Sequence, residues 1–342
     1  MKNTSFFYYV LIGLLTFSCS KESLKEESVA TSLTNTVTKL TLTRSDFMLG
    51  VNGHPLNQAA YNTPAYKQID LLEKLNMGVY RIDVPFSSST GQISNLSAYA
   101  RIKSSADSAG ITLLPMVPTA TLNFTGTETA AYQSGYTRAF NFGSQYKNDF
   151  KYYNLGNELD NECIKTGTGR NESDYDSVKF KIIAAHLKGM DEGIKAADPD
   201  AETMVVAGWL HYKYLQMLED YGVNFDIVAY HWYDNMETNA AGSPYFIPDI
   251  TQYISSKFTK PIWFTETGSK NSGTDPDSVQ RNFLNSFLAK CQNNPQVKAA
   301  IIYELFDQPL RAGNEANYGL YRWITPYTSY APKLWAQEHE TP

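Results

Sequence analysis

Two glutamates stand directly after short apolar runs and could work as a pair. Glu158 closes the stretch Tyr-Asn-Leu-Gly-Asn-Glu, and Glu266 lies in the stretch Trp-Phe-Thr-Glu-Thr-Gly. Two carboxyl groups that face each other across a pocket can divide the work of breaking a glycosidic bond, because one protonates the leaving oxygen while the other attacks or activates water. A gap of about 5 to 5.5 Å gives retention of configuration, and one of roughly 6.5 to 9.5 Å gives inversion. These residues predict such a site if the fold brings them together.

Further polar side chains follow other apolar runs. Arg81 and Asp83 are two residues apart and share one face of a predicted strand, and His231 and Tyr233 close another predicted strand. Each alone has an ordinary structural explanation, such as an ion pair or a hydrogen-bonded histidine. Together they favour a site in which Arg81 and the Tyr233 hydroxyl hold Glu266 ionised. The other glutamate is then less compensated and would serve as the acid.

Short β-prone runs alternate with amphipathic stretches along most of the chain. The predicted strands are Phe47–Gly53, Gly78–Phe86, Ile111–Pro118, Tyr152–Glu158, Thr203–Trp209, Asp226–Tyr233, Pro261–Thr267 and Ala299–Asp307. The predicted helices are Pro64–Asn76, Leu96–Ala109, Ala130–Lys147, Asp174–Ala197, Tyr212–Tyr221, Ile247–Phe258, Pro276–Cys291 and Ser329–Gln337. Eight strands and eight helices in strict alternation predict the α/β class and a single (β/α)₈ TIM barrel. A doubly wound fold would carry a glycine-rich phosphate loop, but the first strand runs into Gly-Val-Asn-Gly-His-Pro.

Composition excludes several classes of protein. The 342 residues carry a net charge of −6, which argues against binding nucleic acid, and 42% are hydrophobic, which is enough for a large core. Only 19% are charged, and this fits a neutral substrate that is recognised by hydrogen bonds and stacking. No boundary for a second folded domain is visible.

The N-terminal segment has the pattern of a targeting signal. Residues 1–18 are predicted to be a signal peptide, because Lys2 precedes an apolar run that is too short to span a bilayer. Cys19 would then be lipidated as in a bacterial lipoprotein. Residues 19–44 would form a flexible Ser/Thr-rich tether, and residues 45–342 would form the catalytic barrel. We expect a lipid-anchored protein of the bacterial cell envelope, at the outer membrane or cell surface. Simple secretion or a periplasmic location is the alternative.

The site residues resemble glycoside hydrolase clan A, over the whole barrel. The pair Asn157 and Glu158 at the fourth strand and Glu266 at the seventh carry the resemblance. It implies Glu158 as acid/base, Glu266 as nucleophile and retention of configuration. It also implies that Asn157 binds the sugar 2-hydroxyl, that Arg81 is the clan's strand-two arginine, and that the tyrosine of the pair His231 and Tyr233 hydrogen-bonds the nucleophile. The motifs are similar to families five and thirty-nine, but strand eight reads Tyr-Glu-Leu-Phe where many members place a Trp beneath the sugar.

We expect further residues to line a sugar-binding mouth: Asn52, His54, Trp209, Trp232, Phe306 and Trp323. Trp263, in mid-strand, is expected in the core. The resulting prediction is a monomeric retaining hydrolase of a neutral β-linked polysaccharide or oligosaccharide, of glucan or hemicellulose type, that cuts within chains and uses no cofactor. The five histidines are too scattered for the ligand cluster of a metal hydrolase. A non-catalytic glycan-binding surface lipoprotein on an inactive barrel is the other alternative, although binding alone does not require opposed acids.

Overall fold

A computed structural model of the protein describes residues 43–270, 273–311 and 313–341. The predicted signal peptide, Cys19 and residues 20–42 of the predicted tether lie outside the described residues. Within those ranges no helix is long and apolar enough to cross a membrane.

Eight parallel strands pair in chain order and close into a barrel. They are β1 (Met48–Gly53), β2 (Val79–Asp83), β3 (Thr112–Val117), β4 (Tyr152–Leu155), β5 (Glu202–Gly208), β6 (Ile227–Tyr233), β7 (Ile262–Gly268) and β8 (Val297–Ile302). The predicted single (β/α)₈ barrel is therefore confirmed. Strands β4 and β8 end earlier than predicted, so Glu158 and residues 303–307 lie on the loops that follow them.

Ten α-helices occur in the described ranges. They are α1 (Ala65–Lys74), α2 (Leu96–Ala109), α3 (Glu128–Tyr146), α4 (Asp160–Cys163), α5 (Ser177–Ala197), α6 (Tyr212–Tyr221), α7 (Asp234–Ala241), α8 (Ile250–Ser255), α9 (Pro276–Asn293) and α10 (Leu334–His339). The two short helices α4 and α7, each beginning within five residues of a barrel strand, were not predicted.

The predicted last helix, Ser329–Gln337, is wrong in its first half. Residues Ser329–Pro332 form strand β10, which pairs antiparallel with β9 (Tyr321–Thr325) in a separate two-stranded sheet. The helix α10 begins only at Leu334. The physical reason is Pro332, which disfavours helical geometry at the residue before it and cannot sit inside a helix.

The core has two layers, as a filled barrel requires. One apolar cluster fills the barrel interior and includes Leu114, Met204 and Trp263. Trp263 is 2% exposed, which confirms its predicted place in the core. A second, larger cluster lies between the strands and the helices. Cys163 in α4 and Cys291 in α9 are buried and form no disulfide.

Candidate active site

Glu266 lies inside strand β7 and both of its carboxylate oxygens carry a donor. Nη1 of Arg81, from β2, donates to Oε1 at 2.8 Å, and the hydroxyl of Tyr233, from β6, donates to Oε2 at 2.6 Å. Arg81 and Glu266 are only 3% and 7% exposed. Charge-assisted bonds of this kind are short and strongly directional, so they fix the carboxylate at the barrel mouth. The structure thus brings together the three residues that the sequence grouped.

Arg81 is itself held by three asparagines. Its guanidinium donates to Oδ1 of Asn154 at 2.9 Å, of Asn52 at 2.7 Å and of Asn157 at 3.0 Å. Asn52 is 1% exposed, and its amide nitrogen donates to backbone carbonyls of β7 and β8. Asn52 therefore positions Arg81, and the predicted contact between Asn52 and sugar is corrected. Asn157 is exposed, and its amide nitrogen has no partner among the described residues.

Glu158 stands on the loop after β4 in the left-handed region of backbone space, with φ of 47°. A non-glycine residue is strained there, and such strain is held in place only by its surroundings. Nδ1 of His231 lies 2.8 Å from Oε1, and Nδ2 of Asn161 donates weakly to Oε2 at 3.4 Å. Glu158 thus lacks the arginine that Glu266 has. The hydrogen bond from His231 nevertheless lowers the pKa of Glu158 below its usual value, although burial opposes the charge.

The two glutamates face each other at short range. One ligand atom each of Glu158, His231 and Glu266 lie within 4.8 Å of one another. At least one oxygen of each carboxylate therefore lies within 4.8 Å of the other, which is compatible with the about 5 to 5.5 Å between the carboxyl groups of retaining glycosidases. The same three residues could hold a metal ion, but Nδ1 of His231 already serves Glu158 and also lies 3.4 Å from Oε2 of Glu266.

A second polar network borders the pair on the side of β1, β2 and β8. Nδ1 of His54 lies 2.6 Å from Oδ2 of Asp83, and Nε2 lies 3.3 Å from Oε2 of Glu304. Glu304 is fully buried and also accepts a hydrogen bond from the hydroxyl of Tyr61 at 2.6 Å. Burial opposes a charged imidazole, but the hydrogen bonds and charges of Asp83 and Glu304 outweigh it and raise the pKa of His54 to about 9.

This network joins His54, which the sequence placed at the mouth, to acids whose role the sequence did not reveal. Asp83 keeps 23% of its side chain exposed and is the end of the network that a ligand can reach. Its position two residues after Arg81 was the available signal. Glu304 gave no such signal, because its burial depends on Tyr61 from the loop after β1 and on Gln308 further along its own loop.

The aromatic residues divide into buried and accessible rings. Trp232 and Phe306 are fully buried, so the predicted stacking of these two rings on sugar is corrected. Trp232 stacks on Trp209 with ring centroids 6.0 Å apart, and Phe306 stacks on Trp323 at 4.9 Å. Trp209 and Trp323 are half-buried and keep surface for a ligand.

Tyr303 is the ring that follows β8. It is half-buried and makes edge contacts with His54 at 5.9 Å and with Tyr233 at 6.4 Å. Since Tyr233 holds the carboxylate of Glu266, Tyr303 lies at the floor of the same site. This is the place where the sequence showed a tyrosine instead of the tryptophan of many clan members.

Comparisons with known proteins agree with the barrel fold. A family model described as the glycosyl hydrolase catalytic core matches residues 181–325, which include β5 to β8 and Glu266. The sequence matches no curated protein. A family 1 β-glucosidase from Thermotoga maritima superposes with a TM-score of 0.62 at 13% identity, over 89% of this chain and 100% of that one. The monomer of a hyperthermophilic β-glucosidase mutant gives a TM-score of 0.64 at 12% identity, over 87% and 100%.

At such low identity the two structures establish the shared barrel fold. The family match assigns a glycosyl hydrolase catalytic core to residues 181–325. The chain is therefore a (β/α)₈ barrel with a catalytic core of the glycosidase type, and the substrate of such a core is a carbohydrate.

Proposed function

We propose that the protein is a retaining β-glycoside hydrolase in which Glu266 is the nucleophile and Glu158 is the acid/base. The observation that carries the proposal is the short gap across the barrel mouth, where ligand atoms of the two glutamates lie within 4.8 Å. Such close carboxylates suit direct attack by Glu266 on the sugar, whereas inversion uses a wider gap that also admits a water molecule.

The contacts divide the two roles. Glu266 is held by Arg81 and Tyr233, so it is ready to attack the anomeric carbon and form a glycosyl ester while the glycosidic oxygen takes the proton of Glu158. In the second step, Glu158 removes a proton from water, and the resulting oxygen attacks the same carbon and releases Glu266. The exposed amide of Asn157, fixed by Arg81, is placed to donate to a sugar hydroxyl.

The substrate of this reaction is proposed to be a neutral β-linked polysaccharide or oligosaccharide of glucan or hemicellulose type, cut within the chain. The low charge of the sequence supports a neutral substrate. The half-buried rings of Trp209, Trp323 and Tyr303 supply flat apolar faces of the kind that pack on sugar rings.

Variants at the two glutamates test the roles separately. Glu266→Gly should lose hydrolysis, and added azide should restore turnover of an activated aryl β-glycoside to give the α-glycosyl azide, because azide enters where the carboxylate stood. Glu158→Ala with azide should instead give the β-glycosyl azide, since the glycosyl ester still forms. Glu162→Gln, an exposed acid on α4, is the matched control and should behave as wild type.

The stereochemistry decides the mechanism. Proton NMR of the first sugar released by the wild type should show the β-anomer, and release of the α-anomer would contradict retention. A wild-type protein that binds glycans from a broad panel and cleaves none of them would instead support the non-catalytic glycan-binding alternative.

We also propose that the barrel is carried at the cell envelope by a lipid on Cys19. The support is the sequence pattern alone. Labelled fatty acid should be incorporated into the wild type expressed in a bacterium and not into Cys19→Ala. Equal labelling of both would contradict lipidation at this residue.

A further inference from the structure

A cavity of about 240 Å³ opens beside the loops that follow β1 and β8. Its polar lining comes from Asn57 and Gln58 after β1 and from Gln308 and Arg311 after β8. Tyr327, from the turn between β9 and β10, supplies an aromatic ring. Side-chain amides, a guanidinium and an aromatic ring form the mixture of directional hydrogen-bonding groups and apolar surface that binds small polar molecules.

Gln308 joins this cavity to the polar network that borders the catalytic pair. Nε2 of Gln308 donates to both carboxylate oxygens of Glu304, at 2.7 and 2.6 Å. Glu304 in turn contacts His54, whose other nitrogen contacts Asp83. The cavity and the part-exposed carboxylate of Asp83 therefore lie on two sides of one chain of polar contacts, in which Gln308–Glu304 and His54–Asp83 are hydrogen bonds and Glu304–His54 is a 3.3 Å contact.

Arg311 is close to the same network. Burial raises the pKa of Asp83, but the hydrogen bond from His54 and the charges of His54, Arg81 and Arg311 outweigh it and hold that pKa below its usual value. Nε of Arg311 donates to Oε1 of Gln308 at 3.2 Å, which ties the exposed arginine to the cavity wall and leaves its two amino groups to offer to a ligand.

The reaction fixes which part of a substrate reaches this side of the barrel. The acid/base stands beside the leaving group, so the aglycon extends over the loop after β4, where Glu158 lies. Strands β8 and β1 are neighbours across the closed barrel from β4. The glycon must therefore extend toward the loops after β8 and β1, where the cavity opens.

We propose that this cavity is a subsite for the second sugar unit of the glycon, next to the unit that is transferred to the enzyme. The inference rests on the proposed function. The volume is below the roughly 300 to 1,000 Å³ of sites for drug-sized ligands and suits a single ring. Arg311 donates to hydroxyls of that ring, and Leu310, which is 82% exposed at the rim, packs on its apolar face.

The consequence of such a subsite is that the enzyme prefers substrates with a longer glycon. An enzyme with this subsite acts on a glycon of two units better than on one, which suits cleavage within chains. The test uses 4-nitrophenyl β-glycosides with one-unit and two-unit glycons in the gluco, xylo, manno and galacto series. For the series that is cleaved, wild-type kcat/KM should be at least tenfold higher with the two-unit glycon.

Two variants probe the cavity. Arg311→Gln removes the guanidinium, and Ala59→Trp fills the cavity from its exposed wall. Both should reduce the two-unit preference at least fivefold, with most of the loss in kcat/KM for the two-unit glycon. Arg101→Gln on α2 and Ala130→Trp on α3 are matched exposed controls and should keep the full preference.

Several outcomes would overturn the subsite without touching the hydrolase proposal. Equal wild-type kcat/KM for both glycons is one, and an equal loss on both glycons in the variants is another, because a merely structural role would produce it. If no aryl glycoside is cleaved, the proposed function fails, and calorimetric titration with β-linked trisaccharides of the four series decides the subsite. Weaker binding by Arg311→Gln but not Arg101→Gln supports it, and binding that is absent or unchanged in the variant overturns it.

Discussion

Replacing Arg81 with Met should destabilise the protein strongly, because it leaves a buried carboxylate without its cation. The guanidinium is 3% exposed and donates to Glu266 and to three asparagines. The side chain of Glu266 is 10% exposed, so solvent cannot take over the role of the arginine. Removing one partner of a buried ion pair costs about 3 to 5 kcal/mol, a large part of the roughly 5 to 15 kcal/mol that stabilises a folded domain.

A second substitution separates this electrostatic cost from lost packing. Glu266→Gln removes the charge that Arg81→Met leaves unpaired, so the double variant should be more stable than the sum of the two single losses predicts. Residues in direct contact couple by about 0.5 to 3 kcal/mol, and a buried charged pair is expected in the upper part of that range. Activity should be absent in the double variant, which shows that stability and catalysis use the same two groups.

Urea unfolding followed by far-ultraviolet circular dichroism measures these free energies. Arg101→Met, on the exposed face of α2, is the matched control and should stay within about 0.5 kcal/mol of wild type. The reasoning is refuted if Arg81→Met costs less than about 1 kcal/mol, or if adding Glu266→Gln gives only the sum of the single losses.

Three further substitutions should each have an effect of known direction on activity or stability. His231→Phe removes the hydrogen bond that lowers the pKa of Glu158, so the basic limb of the kcat/KM profile against pH should move to higher pH; an unmoved limb would contradict this. The pKa of His54 is raised from 6.5 to about 9, so the protonated imidazole stabilises the folded protein fully below pH 6.5, and this stabilisation is lost as pH rises through 9. The thermal midpoint should therefore fall between pH 6.5 and 9, and it should fall less in His54→Gln. Gly135→Ala would place a Cβ 2.1 Å from a backbone carbonyl of α5 and should cost about 1 to 3 kcal/mol in urea unfolding, whereas Gly78→Ala, with nothing within 4 Å, should cost nothing.

The barrel was predictable because a strand that is covered on both faces leaves a strong trace in the sequence. Runs such as Val-Val-Ala-Gly in β5 are apolar throughout, and helix α6 was bounded correctly at both ends. The hairpin of β9 and β10 was missed because its strands form a separate two-stranded sheet outside the barrel and show no long apolar run. The short helix α7 was missed because its eight residues show no helical periodicity.

The site was predictable only where residue type and strand end coincide. Glu158, Glu266, Arg81 and Tyr233 all meet that condition. Asn52 also meets it, but its burial follows from contacts with residues more than 200 positions away in the chain, which no local pattern shows. The predicted accessibility of Phe306 failed for a similar reason, since the rings of Tyr321, Trp323 and Tyr330 that pack on it belong to β9 and β10, which the sequence did not predict.

Under the proposed roles, the position of His231 explains why a lowered pKa at Glu158 is compatible with its work as an acid. An ionised carboxylate can only accept, so Nδ1 of His231 must donate to Oε1 at 2.8 Å when Glu158 has lost its proton. That bond stabilises the charge that appears on Glu158 as the leaving oxygen takes the proton, and it therefore favours the transfer itself. In the same step Glu266 becomes part of a neutral ester, so its oxygen Oε2, 3.4 Å from Nδ1 of His231, no longer attracts that nitrogen as a charged group. The histidine thus follows the negative charge from one glutamate to the other, which a donor fixed on Glu266 alone could not do.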